Sequence, residues 1–537
     1  MTARHFTETT TVDEVVRVDA ALNRVFGQHG IDTCCGGQRT LAQAAAEAGI
    51  DVNELLRALG GEPAPVAAPS TAARPAGETP RRAVAGAPRG AGAAMSARTA
   101  AARSALFFVG SLLFALTFGA VLGAEILTRL ALHGDAPLPR WVDAAKIAHA
   151  YSQVFGFAGL FVMGVALHAV PRFKSGELAR PGLMPVALWL QIVGVSVVVV
   201  GVLVGGFVAA AARVIGAAAV LGAALAFGRM MRDTLRAGGT PSEGFEGYLR
   251  GGCTWLVIAS TLALGGALRG SSAIQPAVWE AALWGFLGLW VMGMSLRILP
   301  VILGAPATGG RAATLVLVGY QTSLGLWVLA VAGDAWTSFP VLRVVGGIGL
   351  AVFGAWFVWQ LGVLRPGVSS GVGFEEGYGK FIVSAYTWFL VALVFVPAWR
   401  ALAEWSGHGA PAVVLDFGRH AFALGFMTQM VFGVAMRVVP VFSGATLWSG
   451  RWRDASFYLL NAAVLTRSIQ VCAEVPRLQA VATYVWVSGV LGVAAFVAFA
   501  VNVVMTMRSR PRAPAGEQQP VYQHDPVAMG LMGKRES

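Results

Sequence analysis

From residue 105 onward the chain is a succession of apolar runs about 20 residues long, each enough to cross roughly 30 Å of hydrocarbon. Twelve are read at 105–127, 145–170, 184–206, 208–230, 251–270, 278–302, 312–332, 341–363, 381–401, 417–440, 455–472 and 480–506. Clusters of Pro, Gly and charge, such as "RPG" at 180–182 and "RAGGTPSEG" at 236–244, separate them. The first 61 residues have a different pattern, with apolar positions at helical spacing in polar sequence. "TVDE" at 11–14 reads as a capping box leading into Val15, Val16, Ala20, Leu22 and Val25, and "GQHG" stops that helix at Gly30. A second helix is predicted over 40–48, and "DVNE" at 51–54 caps a third containing Leu55, Leu56 and Leu59. Residues 62–103 are Ala/Pro/Gly-rich without periodicity and read as a flexible tether. The predicted fold class is all-α: a small helical domain at 1–61, the tether, a polytopic membrane domain at 104–507, and a basic tail at 508–537.

One apolar run is written three times. "GFAGLFVMGVALHAVPRFKSG" at 156–176 returns as "GFLGLWVMGMSLRILPVILGA" at 285–305 and "GFMTQMVFGVAMRVVPVFSGA" at 425–445. Gly156/Gly285/Gly425, Phe157/Phe286/Phe426, Val162/Val291/Val431, Gly164/Gly293/Gly433 and Pro171/Pro300/Pro440 agree in all three copies. The motif falls in the second, sixth and tenth runs, so the unit is four helices. Parallel repeats of that kind turn about an axis along the membrane normal, with equivalent helices facing it and glycines permitting close approach.

Composition agrees with a membrane chain, at 56% hydrophobic and 13% charged residues. The net charge of +12 does not indicate nucleic acid, because the cations alternate between loops. Arg172, Lys174, Arg229, Arg232, Arg236 and Arg250 lie on the rich side; the opposite loops hold fewer, among them Arg140, Arg269 and Arg419. The rich side is expected to be cytoplasmic, which puts both termini in the cytoplasm and the chain in a bacterial inner membrane. Residues 1–62 are polar and mixed, unlike a cleavable signal peptide.

Few residues carry chemistry. Cys253 and Cys472 sit alone in apolar runs and read as small packing residues. Cys34 and Cys35, in "GIDTCCGG", cannot pair without straining the peptide between them; beside two glycines and a following helix N-terminus they suit thiolate, redox or metal chemistry. His149 and His420 open the second and tenth helices at similar depth. Two neutral imidazoles so placed can hold a metal between them, iron or copper included, or can be satisfied core residues. His168 is 19 residues beyond His149, about 28 Å along the helix, and its repeat equivalents Arg297 and Arg437 make it a boundary cation. Glu280 and Tyr151 share the depth of His420; Glu280 reads either as an axis-facing, proton-handling group or as an interfacial carboxylate near Arg269.

Two resemblances add to this. "GIDTCCGGQRTLAQAAAEAGID", preceded by "VFGQHG", resembles the N-terminal domain of Ric/ScdA-type iron–sulfur cluster repair proteins, which respond to nitric oxide and oxidative damage. Their usual hemerythrin-like di-iron domain has no counterpart here, so the resemblance carries over thiol reactivity at Cys34 and Cys35 but not repair chemistry. "HAYSQVFGFAGLFVMGVALHAVPRFKSG", from His149, resembles the NnrS family of nitric oxide stress proteins, and the three four-helix units resemble subunit I of the heme–copper oxidases. The latter likeness implies a low-spin, bis-histidine heme b between His149 and His420. It also implies departures: Gly418 stands at the high-spin heme ligand, Glu280 at a sixth-helix copper ligand, and "TLVLVGYQTSLGLWVLA" supplies no histidine. NnrS proteins show His-x-His on the second helix, where this chain has Tyr151. The expected function is a heme-binding membrane protein in nitric oxide response or electron transfer, with a redox partner and without a conventional oxidase or nitric oxide reductase centre. The alternative is a heme-free transporter or metal-handling protein on the same scaffold.

Overall fold

The computed structural model describes residues 6–18, isolated positions between 22 and 31, 39–60, 105–133, 141–174, 176–239, 244–303, 310–365, 377–443 and 446–509. The tether, the basic tail from 510, and Cys34 and Cys35 lie outside the described residues.

The N-terminal unit contains α1 (Val12–Val18), α2 (Leu41–Ala48) and α3 (Val52–Ala58). Thr11 Oγ1 accepts from the Glu14 amide at 3.2 Å, and the Glu14 carboxylate accepts from the Thr11 amide at 2.7 Å. Thr40 and Gln43 make the same reciprocal cap on α2, and Asp51 caps α3. Val12, Val15, Phe26, Leu41, Leu55 and Leu56 close the small core.

The membrane part is α4 (Ala105–Leu132), α5 (Trp141–Phe173), α6 (Leu183–Val204), α7 (Gly206–Ala237), α8 (Gly244–Leu268), α9 (Gln275–Pro300), α10 (Gly310–Gly333), α11 (Pro340–Leu361), α12 (Gly379–Trp405), α13 (Ala412–Pro440), α14 (Gly450–Arg467) and α15 (Gln479–Arg508). Eleven are long and apolar enough to span a bilayer. The exception is α14, which carries Arg451, Arg453, Asp454 and Arg467 in its 18 residues and gives way to a 3₁₀ stretch at Ser468–Glu474. Cys472 therefore sits in that 3₁₀ stretch rather than in an apolar helix. No strand occurs among the described residues.

The motif helices α5, α9 and α13 form the centre. Their apolar windows are 94, 83 and 72% buried, against 39–56% for the other spans. Each copy contains a π-helical segment, at Ser152–Gly159, Ala281–Gly288 and Ala421–Thr428, and the three segments touch one another. A π segment breaks the i→i−4 ladder and frees carbonyls. Side chains of adjoining helices take some of them. Ser111 donates to the Phe157 carbonyl at 2.8 Å, Gln191 to Phe155 at 2.8 Å, and Tyr320 to Trp284 at 3.1 Å.

The repeated glycines have a common purpose. A Cβ at Gly156, Gly285 or Gly425 would come within 2.6 Å of the ring of Phe114, Trp255 or Trp388, on the first helix of the same unit. A Cβ at Gly164, Gly293 or Gly433 would meet Phe107, Tyr248 or Phe381 at 2.9 Å, seven positions earlier on those same helices. The threefold relation thus extends to individual contacts. Gly285→Ala would place a methyl 2.5 Å from the Trp255 ring. Overpacking against a rigid indole should cost about 1–3 kcal/mol, more than the ~1 kcal/mol gained in helix propensity. Thermal unfolding in detergent is expected to show a net loss; an unchanged midpoint would mean that the helices do not pack this closely.

Candidate functional site

The structure brings His149 of α5 and His420 of α13 together. Their ring centres lie 6.4 Å apart, with planes 19° from parallel. His149 Nδ1 is 2.8 Å from the Gly119 carbonyl, in the π segment Ala115–Val121 of α4. His420 Nδ1 is 2.8 Å from the Asp416 carbonyl one turn back on its own helix. A carbonyl accepts only, so each Nδ1 carries the proton, and in the neutral ring Nε2 then keeps its lone pair. This is the tautomer a metal-ligating histidine uses, with the outer nitrogen fixed by the backbone. Gly123 makes room for the first ring, since a Cβ there would lie 2.7 Å from His149 Cε1.

Charged groups gather beside the pair. The Asp416 carboxylate lies 3.5 Å from His420 Nδ1 and accepts from Arg467 Nη2 at 2.6 Å and Gln470 Nε2 at 3.0 Å. Arg467 is buried, and its Nε and Nη1 have no hydrogen-bond partner among the described residues. Buried donors without partners are costly, so an acceptor aimed at Arg467 would be well received. Asp416, Arg467 and Gln470 escaped the sequence reading. Asp416 was findable, because i and i+4 share a helix face; an arginine near the end of an otherwise apolar run was also a signal.

Glu280 occupies a separate, fully buried position. Its Oε2 accepts from Trp284 Nε1 at 2.9 Å and Trp327 Nε1 at 3.2 Å, while Oε1 accepts from Arg419 Nη2 at 2.9 Å. The interfacial reading near Arg269 is therefore incorrect: Arg269 lies instead over the Trp336 ring. Arg419, read as a loop cation, is likewise inside α13, immediately before His420. Arg400 extends the network over the Trp327 ring, and Arg343 pairs with Asp334 and Glu404. Trp284, Phe389, Phe422 and Phe426 fill the space beside Glu280, with Trp284 and Phe422 ring centres 4.5 Å apart. Tyr151 is buried against Phe155 and Trp279, between α5 and α9.

The described residues contain no group of three or more His, Cys, Asp or Glu able to hold a metal ion. His149 and His420 can supply two ligands and require the remainder from elsewhere. Two imidazoles bonded to opposite sides of one metal at about 2 Å would have ring centres roughly 6.3 Å apart, close to the observed separation. The separation is compatible with both imidazoles holding one metal whose remaining ligands come with the cofactor.

Residues 105–512 match the sequence profile of the NnrS protein family. The chain belongs to the NnrS family. Residues 8–62 match a second profile, ScdA_N, described as a domain of unknown function. No curated protein sequence gives a significant match. Among solved structures, a heme–copper terminal oxidase dimer determined by cryo-electron microscopy is similar, with a TM-score of 0.62 and 12% identity. The likeness covers 80% of this chain and 89% of that one, and it shows a shared fold. Both resemblances drawn from the sequence are thereby supported, and this NnrS protein is a polytopic membrane protein with an oxidase-subunit-I-like bundle.

Proposed function

We propose that this NnrS protein would hold one low-spin heme b through His149 and His420, and serves nitric oxide response or electron transfer at the bacterial inner membrane. The observation that carries the reading is the pair of near-parallel imidazoles 6.4 Å apart, each with Nδ1 against a backbone carbonyl. Bound heme would supply one-electron chemistry between ferrous and ferric iron. The chain's own part is to present two Nε2 lone pairs, hold both rings in one tautomer, and offer the spare N–H groups of Arg467 to a heme propionate. The positive-inside pattern supports cytoplasmic termini, and thiol-reactive Cys34 and Cys35 would then face the cytoplasm.

Heme extraction and metal analysis of the detergent-purified chain from heme-replete cells test the reading. The expected result is one heme per chain with a low-spin b-type spectrum; a nitric oxide difference spectrum then reports whether the gas competes with an imidazole. A colourless chain with both histidines intact would refute the heme and favour the transporter reading.

A further inference from the structure

Away from the histidines, a cavity of about 770 Å³ opens between α7 and α8. It lies at the opposite end of the bundle from His149: α7 reaches it at its C-terminus, where Thr234 accepts from the Ala179 amide just beyond α5 at 3.0 Å. Arg229, Arg232 and Arg236 of α7 and Arg250 of α8 line its mouth. The i, i+3 and i+7 spacing puts the first three on one helix face. Arg250, Cys253, Thr254 and Val257 form the matching face of α8, and Leu225 continues the wall from α7. Leu225 is 55% exposed, so the apolar stretch opens toward the surroundings of the bundle. Arg229 stands 23 residues into α7, about 34 Å from its start, which places the arginines beyond a 30 Å hydrocarbon layer at headgroup level.

The charge of this mouth is not balanced by its ion pairs. Asp233 alone serves Arg180, Arg229 and Arg232. Glu246 pairs with Arg250 at 2.7 Å but is shared with Lys174 at 2.8 Å. Arg236 is exposed and has no ion-pair partner among the described residues. Among the described residues four arginines and Lys174 therefore share two carboxylates above an apolar groove, and Arg236 pairs with neither. We propose that this groove binds an anionic phospholipid of the surrounding bilayer, with the phosphate at Arg229, Arg232 and Arg236 and an acyl chain along the α7–α8 cleft. Basic recesses between membrane helices recognise such headgroups, and guanidinium suits phosphate by geometry as well as charge.

Native mass spectrometry of the full chain in detergent, titrated with phosphatidylglycerol or phosphatidylcholine, tests this. Phosphatidylglycerol is expected to be retained and phosphatidylcholine not. Arg232→Gln with Arg236→Gln, both at exposed positions, should weaken retention about thirtyfold. Thr254→Trp fills the cleft without changing charge and should weaken it too. Equal retention of the two lipids, or full retention by the double variant, would overturn the proposal. So would displacement of the lipid by millimolar inorganic phosphate, since the site would then be a plain anion site. Heme content of the variants should match that of the unaltered chain, so this result is separable from the heme reading.

Discussion

Alanine at His149 or at His420 is expected to abolish heme retention, from about one heme per chain to background, with loss of the low-spin spectrum. One imidazole cannot give six-coordinate ligation, and no other His, Cys, Asp or Glu cluster among the described residues stands ready to replace it. Even second-layer partners of metal ligands are worth 10–100-fold in affinity, so loss of a ligand itself should exceed about 100-fold. Each ring makes one backbone hydrogen bond, worth about 1 kcal/mol, so the apoprotein should lose little stability. The visible spectrum and the melting midpoint should therefore respond very differently. Glycine at either position, with added imidazole, should restore the spectrum if ligation is the role. Heme retained at wild-type level by either alanine variant would show that the pair is not the axial set.

What was legible in the sequence follows from the range of the forces involved. Apolar run length and the thrice-repeated Gly-Phe motif are local, and they led to the bundle and its threefold relation. The helix α14 departs from the expected twelve spans because its charged residues include Arg467 and Asp454, which answer to partners elsewhere. Lys380 holds Asp454 at 2.7 Å, and Arg467 holds Asp416. The depth of His149 and His420 could be counted from the prolines, but their facing directions could not. Those depend on π segments, which shift the register of a helix without leaving a mark in its composition. The partner of Glu280 was less legible still. Arg419 is 139 residues away, and nothing local distinguishes it from a loop cation.

That buried pair gives the largest expected change in stability. Glu280→Ala removes the carboxylate facing Arg419 and strands the Nε1 hydrogens of Trp284 and Trp327. Breaking a buried ion pair from one side typically costs about 3–5 kcal/mol. Arg419 is 29% exposed and recovers some hydration, which lowers its share, while each stranded indole adds about 1–3 kcal/mol. A fall of at least 3 kcal/mol is expected in reversible unfolding. Glu280→Gln keeps an acceptor for the indoles and gives up the charge, so it should fall less. The decisive comparison is Glu280→Leu with Arg419→Leu. Replacing both members by apolar side chains removes the uncompensated Arg419 charge, so the double variant should be less destabilised than the sum of its singles, while the Trp284 and Trp327 indoles stay without their acceptor. A double variant as unstable as the sum of its singles would mean that Glu280 and Arg419 are not coupled. Arg419 directly precedes His420, so the spectrum of the double variant would also show whether the pair steadies the histidine or only the fold.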